Sequence, residues 1–145
     1  MVSDPSASGF DADGAGLRGE PDRETAELLA EIEARLAAGD YVAAYDGIRS
    51  QKGDAAGHPR LNYYRVLALA RSGATAQAAT EYRRLGLQHQ PHVDPSALWA
   101  RICKDAAVAA EPSRRPRLFR RAARAYDRVW RRTDDFYPGI NAATL

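Results

Sequence analysis

From about residue 22 onward, the apolar positions of this chain recur at helical spacing. Leu28, Leu29, Ile32 and Leu36 fall on one side of a first segment, and Tyr41, Ala44, Tyr45 and Ile48 on one side of a second. Residues three and four apart share a helical face, so both runs read as amphipathic helices. Asp22 is placed to cap the first, with Glu24 in its opening turn, and that run extends to about Ala38. The second spans Asp40 to about Gln51. A polar loop, Lys52 to His58, leads to Pro59, whose missing N–H suits a first helical turn. The third helix, to about Ser72, is apolar around much of its circumference through Leu61, Tyr64, Val66, Leu67, Leu69 and Ala70, and should be the most buried. A fourth runs from about Ala74 to Leu85 and stops at Gly86. A fifth opens on an Asp94–Pro95 cap pair and carries Leu98, Trp99, Ile102, Cys103 and Ala106. After a polar connection, Glu111 to Arg115, the sixth covers about Pro116 to Thr133.

Within this pattern one offset repeats. Gly39 and Gly73, Ala44 and Ala78, and Ile48 and Tyr82 are each 34 positions apart, and so are Leu29 and Tyr63, Ile32 and Val66, and Leu36 and Ala70. The two glycines follow helical runs, where a terminating residue takes positive φ. The two alanines are small enough to let neighbouring helices approach closely. Past Gly73 the register slips: no glycine stands 34 residues further on, and the sixth helix is displaced by roughly ten residues from strict periodicity. A third, irregular repeat is expected.

A period of 34 residues resembles that of tetratricopeptide repeats, in which helical hairpins stack because none buries its apolar face alone. The resemblance implies an all-α, right-handed solenoid of about three repeats, with six main helices and the start of a seventh. The terminal run Asp134-Asp135-Phe136-Tyr137-Pro138-Gly139-Ile140-Asn141-Ala142-Ala143-Thr144-Leu145 resembles a segment of a tetratricopeptide-like domain of bacterial proteins. It is similar also to the TRAF-binding regulatory region of apoptosis signal-regulating kinases. Leu67 to Ala74 and Leu98 to Asp105 look like earlier parts of the same domain, so the likeness covers about Thr25 to Leu145. It implies a helical scaffold that binds other proteins or holds a neighbouring domain in check. In that family the Ile-Asn-Ala element opens a further helix, and here Leu145 lies about one turn into it. The expectation is a piece of a longer protein rather than a shortened product.

The sixth helix has the sharpest amphipathic pattern. Leu118, Phe119, Ala122, Ala123, Ala125, Tyr126, Val129 and Trp130 occupy about 160° of one side, and Arg117, Arg120, Arg121, Arg124, Arg128 and Arg131 the other. Two readings stand for the arginines. They are a solvated face whose stems shield the apolar rim, or they are a contact for an acidic protein, phosphate groups or nucleic acid through Arg117, Arg121, Arg124 and Arg128. Nucleic acid is the weaker version, because the aromatics lie on the buried side rather than among the arginines. In stacked repeats the first helix of each pair lines a concave side, which places Leu29, Glu33, Arg60, Tyr63, Leu67 and Arg71 at or near a groove for a peptide or helix. The alternative is that Tyr63 and Leu67 simply pack between helices.

Composition narrows the remaining classes. A chain of 145 residues fits one domain, and its formal net charge of +2 makes no case for nucleic acid. No run approaches the ~18 apolar residues of a membrane span, and no signal peptide is apparent, so a cytoplasmic setting is expected. Cys103, the only cysteine, precludes an internal disulfide and reads as a small buried hydrophobe. His89 and His92 with Cys103 lack the spacing of a metal site, since Pro91 interrupts the helix that would align them. No catalytic constellation or kinase signature is found, so the chain reads as non-enzymatic, without cofactor or metal. Residues 1–21 mix Ser, Gly, Asp, Ala and Pro around a lone Phe10 and read as a disordered tail, with a docking peptide centred on Phe10 as the alternative.

Overall fold

The computed structural model describes residues 21–134 and 136–145; the tail and Phe10 lie outside the described residues. Every regular element among them is helical: α1 (Arg23–Ala37), α2 (Tyr41–Arg49), α3 (Pro59–Arg71), α4 (Thr75–Arg84), α5 (Val93–Ala109), α6 (Arg115–Thr133) and α7 (Phe136–Thr144). Short 3-10 turns occupy Gly53–Gly57, inside the expected polar loop, and Leu87–His89. The chain forms two compact units that divide within α3, one reaching Ala68 and the other running from Leu69 to Leu145.

In the first unit, Asp22 caps α1 by accepting the Thr25 N–H at 2.7 Å. That bond holds its carboxyl below the usual carboxylate range. Gly39 ends the first hairpin arm at φ 79°, with its N–H on the Leu36 carbonyl and the Asp40 N–H on the Arg35 carbonyl. Glycine reaches that conformation without the clash a Cβ would bring. Asp40 then caps α2 through the Ala43 N–H at 3.3 Å. Leu29, Ile32 and Leu36 from α1 and Ala44 and Ile48 from α2 are buried, whereas Leu28, Tyr41 and Tyr45 are only half-buried. The close approach of α1 and α2 depends also on Gly47, where a Cβ would stand 3.2 Å from both Ile32 Cδ1 and Arg35 Nη1. Arg35 uses that proximity to donate to the Ala43 carbonyl at 2.9 Å. Leu61, Tyr63, Tyr64, Val66, Leu67 and Ala68 of α3 are all buried, as the all-round apolar pattern requires.

In the second unit, Gly73 at φ 85° and Gly86 at φ 68° bracket α4, whose Ala78 and Tyr82 are buried. α5 starts earlier than its Asp94–Pro95 signature indicates. His92 occupies the cap position with extended backbone and no side-chain cap bond, which puts Asp94 in the first turn, favourable to the helix dipole. Pro95 is fully buried there, and its missing N–H falls where the helix has no intrahelical partner for one. α5 and α6 pack along their lengths, and α7 packs on α6.

The C-terminal segment differs from expectation. α6 ends at Asp134, a non-glycine residue in the left-handed conformation at φ 54°, whose N–H bonds the Trp130 carbonyl at 2.7 Å. The chain then turns into α7 at Phe136, upstream of the Ile-Asn-Ala element, so α7 is nine residues long rather than about one turn. Pro138 sits in its first turn, where proline is tolerated. Ala142 and Leu145, both half-buried, pack against a cluster of Ala100, Ala125 and Tyr126.

Candidate functional site

α6 organises the second unit, and its neighbours divide the single arginine face of the sequence into two. Ala122, Ala125, Tyr126 and Val129 are buried against α5 and α7, and Leu118 and Phe119 are half-buried. Trp130 departs from the expected apolar arc. It is 40% exposed, and Gly139 of α7 lies against its ring. A Cβ at Gly139 would come within 3.0 Å of Trp130 Cδ1. Between these helices opens a groove of about 660 Å³ lined by Ala123, Trp130, Gly139, Ile140, Ala142 and Ala143, with Arg124, Asp127 and Arg131 also on its wall. Ile140 is 47% exposed. Arg131 donates to Asp127 at 2.8 Å, while Arg124 is exposed. The groove therefore has an apolar floor and a mostly basic margin.

Arg121 and Arg128 lie toward α4 and α5 instead. Seven residues separate them, close to two helical turns, which puts them on one stripe. Arg121 stands over the Trp99 ring at 5.7 Å and Arg83 of α4 at 4.8 Å, while Tyr82 stacks on the same indole with centroids 4.9 Å apart. Trp99 is half-buried. The aromatic among these arginines comes from α5 rather than from α6, whose own Tyr126 is buried. Cys103, one turn along α5, is buried; burial raises its thiol pKa, opposed by the charges of Arg121, Arg128 and Arg83. Arg117, the remaining member of the predicted anionic face, is exposed near the start of α6.

The first-helix set is placed differently. Leu29, Tyr63 and Leu67 are 6%, 6% and 7% exposed and contribute to the core of the first unit. Glu33 accepts from Arg60 and from the Tyr64 hydroxyl at 2.7 Å, and Arg60 Nε donates to that hydroxyl at 2.9 Å. Burial and the bond to Glu33 push the Tyr64 pKa up to about 12. Arg71 falls in the second unit and is half-buried. Three features central to these surfaces do not stand out in the sequence: Arg83, Gly139 and the clamped face of Trp99. Gly139 follows Pro138 in a Pro-Gly pair that reads as a turn, so its contact with Trp130 leaves no local trace. Among the described residues, no three His, Cys, Asp or Glu side chains converge as a metal site would require.

Residues 37–145 match the family described as Tetratricopeptide Repeats-Sensor, a span of well over half the chain that starts at the last residue of α1. The chain belongs to that family. No curated protein and no solved structure matches it. For this Tetratricopeptide Repeats-Sensor protein, the match agrees with what the helices show: hairpins ended by positive-φ glycines at Gly39 and Gly73, and fully buried alanines at Ala44 and Ala78. Helical repeats of this type act as protein-interaction scaffolds, presenting binding surfaces built from successive hairpins. No helix among the described residues is long and apolar enough to cross a membrane.

Proposed function

We propose that this protein is a non-catalytic interaction module of a regulatory assembly, and that it receives a helix of a partner protein in the α6–α7 groove. The observation that carries the reading is the pair Trp130 and Ile140, two large apolar side chains left 40% and 47% exposed on one groove. Isolated exposed apolar residues are ordinary on protein surfaces, but an apolar floor with a polar margin is the pattern of a helix-accepting groove. The charges at its margin select the occupant. Arg124 and Arg131 outnumber Asp127, so an amphipathic helix with apolar residues one turn apart and carboxylates beside them is complementary. The likeness of the terminal segment to the regulatory region of apoptosis signal-regulating kinases supports a regulatory setting. The first-helix face enters this reading only through Glu33 and Arg60, which an incoming charged segment would have to separate.

A photo-reactive residue in place of Ala143 tests the groove in cells of the native source. The expected product is a cross-link to an acidic amphipathic helix of another protein, lost in Trp130→Ala. A cross-link confined to the same polypeptide, or one retained in Trp130→Ala, overturns the reading.

A further inference from the structure

We propose that Arg83 and Arg121, held over Trp99, and Arg128, two turns from Arg121 on the same stripe of α6, form a binding site for a phosphate group. The site faces α4 and α5, apart from Trp130 and Ile140, and does not depend on their groove being occupied. Three observations on geometry and charge meet here. First, two guanidiniums from different helices are held over one indole, at 4.8 Å for Arg83 and 5.7 Å for Arg121. The stack of Tyr82 on Trp99 fixes the ring they rest on. Stacking an arginine on an aromatic face orients its plane while leaving N–H donors at its edge for an oxyanion.

Second, no described carboxylate is paired with the cluster. The carboxylate of α4, Glu81, is taken by Arg84 through two bonds of 2.8 Å. That of α6, Asp127, is taken by Arg131, and Asp105 of α5 faces Arg101 at 3.7 Å. Arg83, Arg121 and Arg128 form no ion pair with a described carboxylate. Three arginines on one surface without a carboxylate partner keep their charge and N–H donors available to an anionic ligand.

Third, a further guanidinium borders the cluster. Arg132 donates to Ser96 Oγ at 3.3 Å and to the Pro91 carbonyl at 3.4 Å, which secures it beside the start of α5. Its charge reaches Tyr82. Several guanidiniums favour a ligand that carries more than one negative charge and accepts through several oxygens. A phosphate monoester meets both conditions. A nucleobase fits less well, because Tyr82 and the two arginines already lie against the indole on which it would stack. The phosphate belongs either to a phosphorylated protein segment or to a small phosphorylated compound.

Calorimetric titration of the full chain with inorganic phosphate, pyrophosphate, a phosphoserine peptide and its unphosphorylated counterpart tests the site. Saturable binding of the phosphate-bearing probes to one site is expected, with tighter binding of the peptide pointing to a protein ligand and of pyrophosphate to a small compound. The double variant Arg83→Gln/Arg121→Gln should weaken binding about tenfold or more and leave the unfolding midpoint in place. Arg114→Gln/Arg120→Gln removes the same charge from exposed residues outside the cluster and should change affinity by less than about twofold. Should the first double variant fold poorly, Arg83→Lys, which keeps the charge but not the planar fork, should still weaken binding. Equal losses in the two double variants overturn the proposal, as do binding that ignores phosphorylation and the absence of saturable binding by every phosphate probe.

Discussion

Ala78 has no exposed surface, and its neighbour one turn on, Tyr82, is 4% exposed. Ala78→Leu therefore forces a longer, branched side chain into a filled contact and should destabilise by ~1–3 kcal/mol; an unchanged denaturant midpoint would contradict the packing. Tyr64 and Tyr82 make a second residue-scale test. Burial, the larger cause in both, raises each phenol from about 10 to about 12. The folded chain thus keeps protons that the unfolded chain releases near pH 10. Their contribution is full below pH 10 and is lost as pH rises toward 12. An absorbance titration should show Tyr64 and Tyr82 ionising only as the chain unfolds. Gly39, Ala44, Gly73 and Ala78 are readable in the sequence because small residues recurring at one fixed offset mark the turns and close contacts of a repeated hairpin. Gly47 and Gly139 are not, since what crowds a side chain there is Ile32, Arg35 or Trp130 across a tertiary contact. Gly139→Ala gains about 1 kcal/mol of helix propensity while pressing on the Trp130 ring. Global stability should change little, and the emission of Trp130 should change visibly.

At the scale of elements, helix existence follows from apolar spacing, while the ends of α5 and α7 do not. Asp94–Pro95 is a sound start signal, yet His92 takes the cap because Pro95 fits the first turn equally well two residues further in. α7 reads short in the sequence because the family resemblance opens it at the Ile-Asn-Ala element, downstream of Phe136. Its helical state comes from docking Ala142 and Leu145 on Ala100, Ala125 and Tyr126, a gain no local pattern contains. Lys104 reinforces it, donating to Asn141 at 3.4 Å. Ala142→Asp sets a carboxylate against that cluster, where a poorly compensated polar group costs ~1–3 kcal/mol. Hydrogen exchange should show α7 losing protection while α5 and α6 keep theirs; undiminished protection over residues 136–144 would contradict this docking. The arginines of α6 illustrate the same limit. Their alternation with apolar positions is plain, but their division between Arg121–Arg128 and Arg124–Arg131 is set by which neighbour lies on each side.

For the molecule as a whole, the 34-residue offset identifies the class of fold, and the family match over residues 37–145 places the chain in it. Within each compact unit the functional surfaces are those that helix packing leaves uncovered, and no periodicity announces these in advance. A groove floored by Ala123, Trp130 and Ile140 owes most of its affinity to apolar contact, so binding there should fall only gently with added salt. A phosphate held by Arg83, Arg121 and Arg128 should respond far more steeply. The groove itself is read most directly by the emission of Trp130 in a Trp99→Phe chain, titrated with the acidic amphipathic segment that cross-links at position 143. A saturable blue shift that disappears in Ile140→Ser is the expected result. Emission that stays unmoved, or a shift that persists without Ile140, would contradict a helix seated between α6 and α7.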